Sequence, residues 1–276
     1  MQDYLYDVLS ALLREHDITY VKWDYNRSIS DAFSHALPAD RQGEVLHRYI
    51  LGLYALLERL TAAFPHVLFE GCAGGGGRFD AGMLYYTPQI WLSDDTDPIE
   101  RLKIQRGTSF GYPVSAMGAH VSASPNHQTG RSTPLRTRGV VAMSGAFGYE
   151  LDLTKLSDEE KAEIRRQILQ FRADEDTAQA GLYYRLTDGE NHWFTAWQTV
   201  SGDGARSIVN LVVQNPEPFA RAMHVCLRGL QPEARYLIEE EARIVTGAAL
   251  MAAGYTFPRM TGDYPAAQLH LIRQDG

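Results

Sequence analysis

Cysteine is scarce in this chain: Cys72 and Cys226 are the only two among 276 residues. They lie far apart and form no metal-spaced pair, and no His, Asp and Glu spacing supplies one, so no metal site is expected. Nor is a disulfide framework, which points to a reducing cytoplasm. Basic residues are in deficit. The 26 Lys and Arg against 34 Asp and Glu leave a net charge of −8. With no basic stripe visible, a nucleic-acid partner is not expected. No apolar run approaches the roughly 20 residues of a membrane span, and the opening Met1-Gln-Asp-Tyr-Leu-Tyr-Asp7 has neither the basic nor the apolar region of a signal peptide. Membrane association is therefore not expected. The remainder, 45% apolar and 22% charged, is globular composition, long enough for one large domain or two ordinary ones.

The hydrophobic pattern divides the chain near residue 176. Before that point short apolar runs alternate with helical stripes. Leu5, Val8, Leu9, Leu12 and Leu13 mark a first helix over 3–15, followed by a strand at Ile18–Asp24. Val45, Leu46, Tyr49, Ile50, Leu53, Leu57 and Leu60 mark a long helix with Asp40 as its expected N-cap and Pro65 as its stop. Strands are expected at Val67–Glu70, Gln89–Ser93, Val114–His120 and Gly145–Leu151. Asp97-Pro98 should open a helix, Asp as cap and Pro at the first position. Another helix is expected near 134–143, and Ser157 with Glu160 forms a capping box for a last one. Five βα units imply a parallel sheet, either open and doubly wound or part of a (β/α)₈ barrel. Residues 177–276 instead carry short β runs separated by turns, an antiparallel β-sandwich.

Two of the apolar runs end in carboxylate: Val21-Lys-Trp-Asp24 and Trp91-Leu-Ser-Asp94. Catalytic side chains of parallel α/β proteins sit at such strand ends, and a pair of acids is what glycosidic cleavage needs. Alternation puts Lys22, Asp24 and Asn26 on one face, where the lysine would favour an ionised, nucleophilic Asp24. Asp94 is the candidate proton donor; Asp95 should point away and Asp97 should cap the next helix. Each acid taken singly could equally anchor a loop. Gly74–Gly77 lacks the Gly-Lys-Ser/Thr of a phosphate loop and the spacing of a dinucleotide fingerprint; a side-chain-free turn that a sugar can approach fits better. Cys72 is a substrate contact or core residue rather than a nucleophile, Trp91 a sugar platform or core residue. His127 with Asn126 could border the site or lie on the surface, and His120 reads as a strand residue.

Four segments together resemble the family-36 glycoside hydrolases, bacterial α-galactosidases of the raffinose and melibiose type. They are Tyr20-Val-Lys-Trp-Asp-Tyr-Asn-Arg27, Glu70-Gly-Cys-Ala-Gly-Gly-Gly-Gly-Arg-Phe-Asp80, Ile90-Trp-Leu-Ser-Asp-Asp-Thr-Asp-Pro-Ile-Glu-Arg101 and Val121-Ser-Ala-Ser-Pro-Asn-His-Gln128. The resemblance implies strands four to eight of a partial (β/α)₈ (TIM) barrel over 1–176, then the β-sandwich over 177–276. It implies Asp24 as nucleophile and Asp94 as acid/base of a retaining reaction, with Lys22, Asn26, Cys72, Gly74 and Trp91 touching substrate and no cofactor. The implied partners are an α-galactoside oligosaccharide, the missing N-terminal half of the enzyme and, in family fashion, further copies of the chain. Alternative chemistries on this scaffold are α-N-acetylgalactosaminidase and galactosyl transfer of the raffinose-synthase kind. A truncated chain, inactive without its N-terminal half, is a further alternative, and the non-enzymatic reading is a sugar-binding or purely structural remnant.

Overall fold

The structure is a computed structural model and describes residues 1–216 and 222–274. The chain forms two compact units, Met1–Asp94 and the part from Asp95 onward.

In the first unit, helix α1 (Gln2–Glu15) leads into strand β1 (Tyr20–Asp24), helix α2 (Val45–Ala63), strand β2 (Leu68–Cys72), the short helix α3 (Ala81–Tyr86) and strand β3 (Gln89–Trp91). The strands are parallel in the order β1-β2-β3. Alternation sorts their side chains cleanly. Val21, Trp23 and Phe69 pack with Leu9 and Leu13 of α1 and Leu56 and Leu60 of α2. Ile90 joins Leu57, Met83 and Tyr25 in a second cluster. The opposite parity is left to Tyr20, Lys22 and Asp24 of β1, Glu70 and Cys72 of β2, and Gln89 and Trp91 of β3.

Two local expectations change. Asp40 is not a helix cap: it lies inside a 3₁₀ stretch, Ala39–Glu44, ahead of α2. The side chain of Gln42 anchors this turn to the loop before it. It donates to the carbonyls of Ser34 (2.8 Å) and Leu37 (2.6 Å) and accepts from the Ser34 amide (3.0 Å), folding the preceding loop back onto this turn. The unexpected α3 exists because Asp80 caps it, accepting from the Met83 amide at 2.9 Å.

The second unit begins with helix α4 (Pro98–Thr108), capped as expected by Asp97, whose Oδ1 accepts from the Ile99 amide at 2.9 Å. Strand β4 (Met117–Ser122), helix α5 (Leu135–Ala142), strand β5 (Ala146–Glu150) and helix α6 (Asp158–Ala180) follow. β4 and β5 are parallel, in register from Gly118↔Ala146 to Ser122↔Glu150. Both halves of the Ser157–Glu160 capping box are made, at 3.2 and 3.0 Å. Helix α6 continues past Asp174, which is buried and tied to Gln170 and His270.

The antiparallel portion comprises β6 (Leu182–Arg185), β7 (Phe194–Val200), β8 (Arg206–Val213), β9 (Met223–Val225), β10 (Arg235–Ile238), β11 (Arg243–Thr246), helix α7 (Gly247–Ala252), β12 (Tyr255–Phe257) and β13 (Ala266–Gln274). Six strands form one sheet, β11-β10-β13-β8-β7-β6, and β12 pairs with β9 in a second. Between these sheets lies the core, with Val209, Leu211, Tyr236, Ile238 and Leu271 against Met223, Val225 and Phe257. The six-stranded sheet turns its other face, Trp197, Val212 and Ala266, onto Ile99 and Leu102 of α4 and Val140 and Val141 of α5.

Candidate active site

Seven residues were singled out in the sequence as site candidates, and all of them lie in the first unit. Lys22, Asp24 and Asn26 follow one parity along β1 and its exit, and all three are exposed. Parallel pairing sets Asp24 opposite Cys72 and Lys22 opposite Glu70. Cys72 is 4% exposed. Burial and then the neighbouring charge of Asp24 push its thiol up to about 11; Asp94 acts in the same direction, and Lys22 and the Gly75 backbone oppose them. At neutral pH Cys72 is therefore a protonated thiol and no nucleophile. Both candidate carboxylates thus act on one sulfur atom.

Trp91 links the two sides. Its face carries the Lys22 ammonium, 4.5 Å from the ring centroid, and its Nε1 donates to Asp94 Oδ1 at 3.1 Å. The tryptophan is 3% exposed, so it is packed and polar-contacting at once. Asn26 accepts from the Gly74 amide through Oδ1 at 2.6 Å, which ties the exit of β1 to the glycine loop. Arg78 adds to that tie by donating to the carbonyls of Tyr25 (3.0 Å) and Arg27 (2.9 Å) and stacking on the Tyr25 ring.

The four glycines divide their work. Gly74, at φ +57°, faces open space. Gly75 is also left-handed, and a Cβ there would lie 2.8 Å from the Asp94 amide nitrogen and from Ser93 Cα; a Cβ on Gly76 would lie 2.4 Å from the Leu92 carbonyl oxygen. The loop rests on the backbone that carries Asp94, and only glycine permits that approach. Gly74→Ala is expected to cost about 1 kcal/mol, the left-handed strain alone, whereas Gly75→Ala adds a backbone clash and should cost about 2–4 kcal/mol. Urea denaturation of the two variants checks this; equal losses would remove the packing argument.

Glu70, Tyr20, Gln89 and Arg78 were not singled out from the sequence as site residues. The available signal for Glu70 was a carboxylate inside an otherwise apolar strand. It is 1% exposed, accepts from the Tyr20 hydroxyl, and accepts from Gln89 Nε2 at 3.3 Å.

The other polar residues weighed in the sequence belong to the second unit. Asp95 Oδ1 accepts from the Asp97 amide at 3.0 Å. Asp97 is fully buried, is bound by Arg131 Nη1 at 2.5 Å and by the Thr129 hydroxyl, and has its carboxyl held below the usual range: burial opposes this, but Thr129, Arg131 and the Ile99 amide outweigh it. Asn126 is a buried loop-former, donating to Thr96 Oγ1 at 3.1 Å and accepting from the Gln128 and Thr129 amides. His127 is exposed, and His120 Nδ1 lies 3.6 Å from Glu150 Oε2. Among the described residues no group of three or more His, Cys, Asp and Glu could hold a metal ion, and no helix is long and apolar enough to cross a membrane.

Comparison with known proteins gives this geometry a context. A family model described as Melibiase matches residues 1–181, and one described as the glycosyl hydrolase family 36 C-terminal domain matches residues 194–271. The chain is 50% identical over 268 residues to the bifunctional alpha-galactosidase/sucrose kinase AgaSK of Mediterraneibacter gnavus, covering 97% of this chain and 28% of that protein. It is 48% identical to alpha-galactosidase AgaA of Geobacillus stearothermophilus over 95% of this chain and 36% of that one. The crystal structure of AgaA superposes with a TM-score of 0.96 at 46% identity, over 99% of this chain and 38% of AgaA. The chain thus spans about a third of the length of the curated relatives it matches. Its fold is the second half of a (β/α)₈ barrel followed by an antiparallel β-sandwich, and the chain belongs to the family-36 glycoside hydrolases, the melibiase family.

Proposed function

We propose that this chain supplies both catalytic carboxylates of a retaining α-galactosidase, Asp24 as nucleophile and Asp94 as acid/base. The observation that carries the reading is the shared strand-end layer: Asp24 lies opposite Cys72 in register, and Asp94 is held by Trp91, the last residue of the neighbouring strand on the same side of that layer. In the first step an Asp24 oxygen attacks the anomeric carbon of a terminal α-galactosyl unit. The glycosidic C–O bond breaks as Asp94 delivers its proton to the leaving oxygen, and a β-galactosyl ester on Asp24 results. In the second step water attacks the same carbon, Asp94 takes its proton, and the ester bond breaks to release galactose with the original configuration. Retaining enzymes hold the two carboxyl groups about 5–5.5 Å apart for this purpose. Lys22, Asn26, Cys72, Gly74 and Trp91 line the place where the galactosyl hydroxyls bind. The substrate class is raffinose- and melibiose-type oligosaccharide; AgaA variants are solved in complex with raffinose and with stachyose.

The working enzyme contains further βα units. Among the described residues β1 pairs only with β2, and an exposed strand edge is a template for another strand. Tyr4, Leu5, Val8 and Leu12 give α1 an exposed apolar stripe, as expected of a helix with a neighbour on that side. Residues 1–176 are the barrel portion and 177–276 the sandwich, and the free thiols Cys72 and Cys226 suit a cytoplasmic location. The test is direct. The chain alone should leave a chromogenic α-galactoside intact. Mixed with the part of AgaA that precedes the matched region, it should hydrolyse it. A stable assembly of the two parts with no hydrolysis would dismiss the α-galactosidase reading.

A further inference from the structure

We propose that Glu70 is the positioning residue that fixes the Lys22 ammonium in the site. A buried carboxylate is costly unless it is paired and hydrogen-bonded, and Glu70 is 1% exposed. Its two oxygens have separate duties. Oε2 accepts from the Tyr20 hydroxyl and from Gln89 Nε2 at 3.3 Å, and Gln89 also donates to Tyr20 Oη at 3.2 Å. Those two neighbours, one on each adjoining strand, lock the plane of the carboxylate. Oε1 accepts no hydrogen bond and lies 3.7 Å from Lys22 Nζ.

Register makes the pairing inevitable, since Lys22 and Glu70 are direct partners across β1 and β2. Trp91 then closes the ammonium from the other side with its ring face. A lysine side chain otherwise has four rotatable carbons and about 2 kcal/mol of rotamer entropy to lose on binding a ligand. Held between a carboxylate and an indole it has given up part of that freedom already, and Asp24 lies two residue pairs further along the strands on the same face. Glu70 itself is too deep to touch a sugar; it acts through Lys22.

The kinetic consequence rests on the α-galactosidase reading, whereas the structural consequence does not, so the experiment has two arms. In the chain itself the ε-methylene protons of Lys22 should show a ring-current upfield shift from Trp91. Glu70→Gln, nearly isosteric, should collapse that shift by more than half while the rest of the amide spectrum stays dispersed. Should that variant fail to fold, Tyr20→Phe keeps the carboxylate but removes one of the two donors to Oε2, and it should move the same signal in the same direction by less. A Lys22 shift unmoved in the folded variant overturns the assignment, whatever the enzyme's activity. In the assembled enzyme Glu70→Gln should raise KM for a chromogenic α-galactoside roughly tenfold with kcat within about threefold, the pattern of lost uniform binding, and it should add nothing in a Lys22→Met background. An additive effect there also overturns it. Absence of activity in the parent assembly counts against the α-galactosidase reading alone, and the spectroscopic arm still decides Glu70.

Discussion

Asp24→Ala in the assembled enzyme is expected to lower kcat by about 10⁴-fold or more, as removal of a covalent nucleophile does. Azide should then restore turnover, and the product should be β-galactosyl azide. The reason is stereochemical. Without Asp24 the small anion occupies the space of the missing carboxylate and attacks the anomeric carbon directly, inverting it once. Asp94→Ala makes the opposite product. There Asp24 still forms the β-linked ester, and azide replaces water in the second step, giving α-galactosyl azide by two inversions. The configuration of the azide therefore assigns the two roles independently of the size of either rate loss. Undiminished turnover by Asp24→Ala, or an α-azide from it, would end the assignment.

The second large effect concerns stability. His270 on β13 is clamped between Glu240 and Asp174 of α6: Nδ1 lies 2.6 Å from Glu240 Oε1 and Nε2 lies 2.9 Å from Asp174 Oδ2. Gln170 Nε2 also lies 3.1 Å from its Nε2, and Arg206 Nη2 approaches Asp174 Oδ1 to 4.0 Å. Burial by itself would drive the imidazole toward neutrality, but the two carboxylates outweigh it and raise the group from 6.5 to about 9. The folded chain therefore holds a proton that the unfolded chain releases above pH 6.5. The stabilisation is complete below pH 6.5 and is lost as pH rises through 9, an effect of about 3 kcal/mol. Urea denaturation at intervals from pH 6 to 9 should show stability falling by about that amount in the parent. His270→Gln should be less stable by about 3–5 kcal/mol at pH 6, because Glu240 and Asp174 lose the buried cation between them and only the half-exposed Arg206 remains near Asp174, and its profile should be flat over the same window. Above pH 9 the raised Cys72 thiol contributes in the same direction, so the comparison stops there. A parent profile that is flat, or a variant that keeps the slope, would remove the clamp from the account.

Much of the layout is legible in the sequence. Lys22, Asp24 and Asn26 share a face because strand side chains alternate, a property of the backbone alone. Asp97 and Ser157 were readable as caps because capping is settled within three or four residues. Asp40 misleads for a related reason: it has the chemistry of a cap but lies inside a 3₁₀ turn, which Gln42 anchors to Ser34 and Leu37. Strands β11 and β12 and helix α7 are short and weakly patterned; Arg243–Thr246 becomes a strand only by pairing with β10. As sequence, the glycine run implies a side-chain-free turn open to a ligand, which describes Gly74. The part played by Gly75 and Gly76 depended on the backbone at Leu92–Asp94, some eighteen residues away, and no local rule could reveal it.

The order of residues by itself determined the family, the succession of βα units and the parity that puts acidic side chains on a common face, since these follow from motif identity and a two-residue period. Only the tertiary structure decided the partners across strands. That Glu70 meets Lys22, that Trp91 serves both Lys22 and Asp94, and that Asp24 and Asp94 act on one thiol all depend on register between segments tens of residues apart. Register is set by how the apolar faces of β1, β2 and β3 settle on α1 and α2, and a shift of one residue would turn every one of these side chains to the other face.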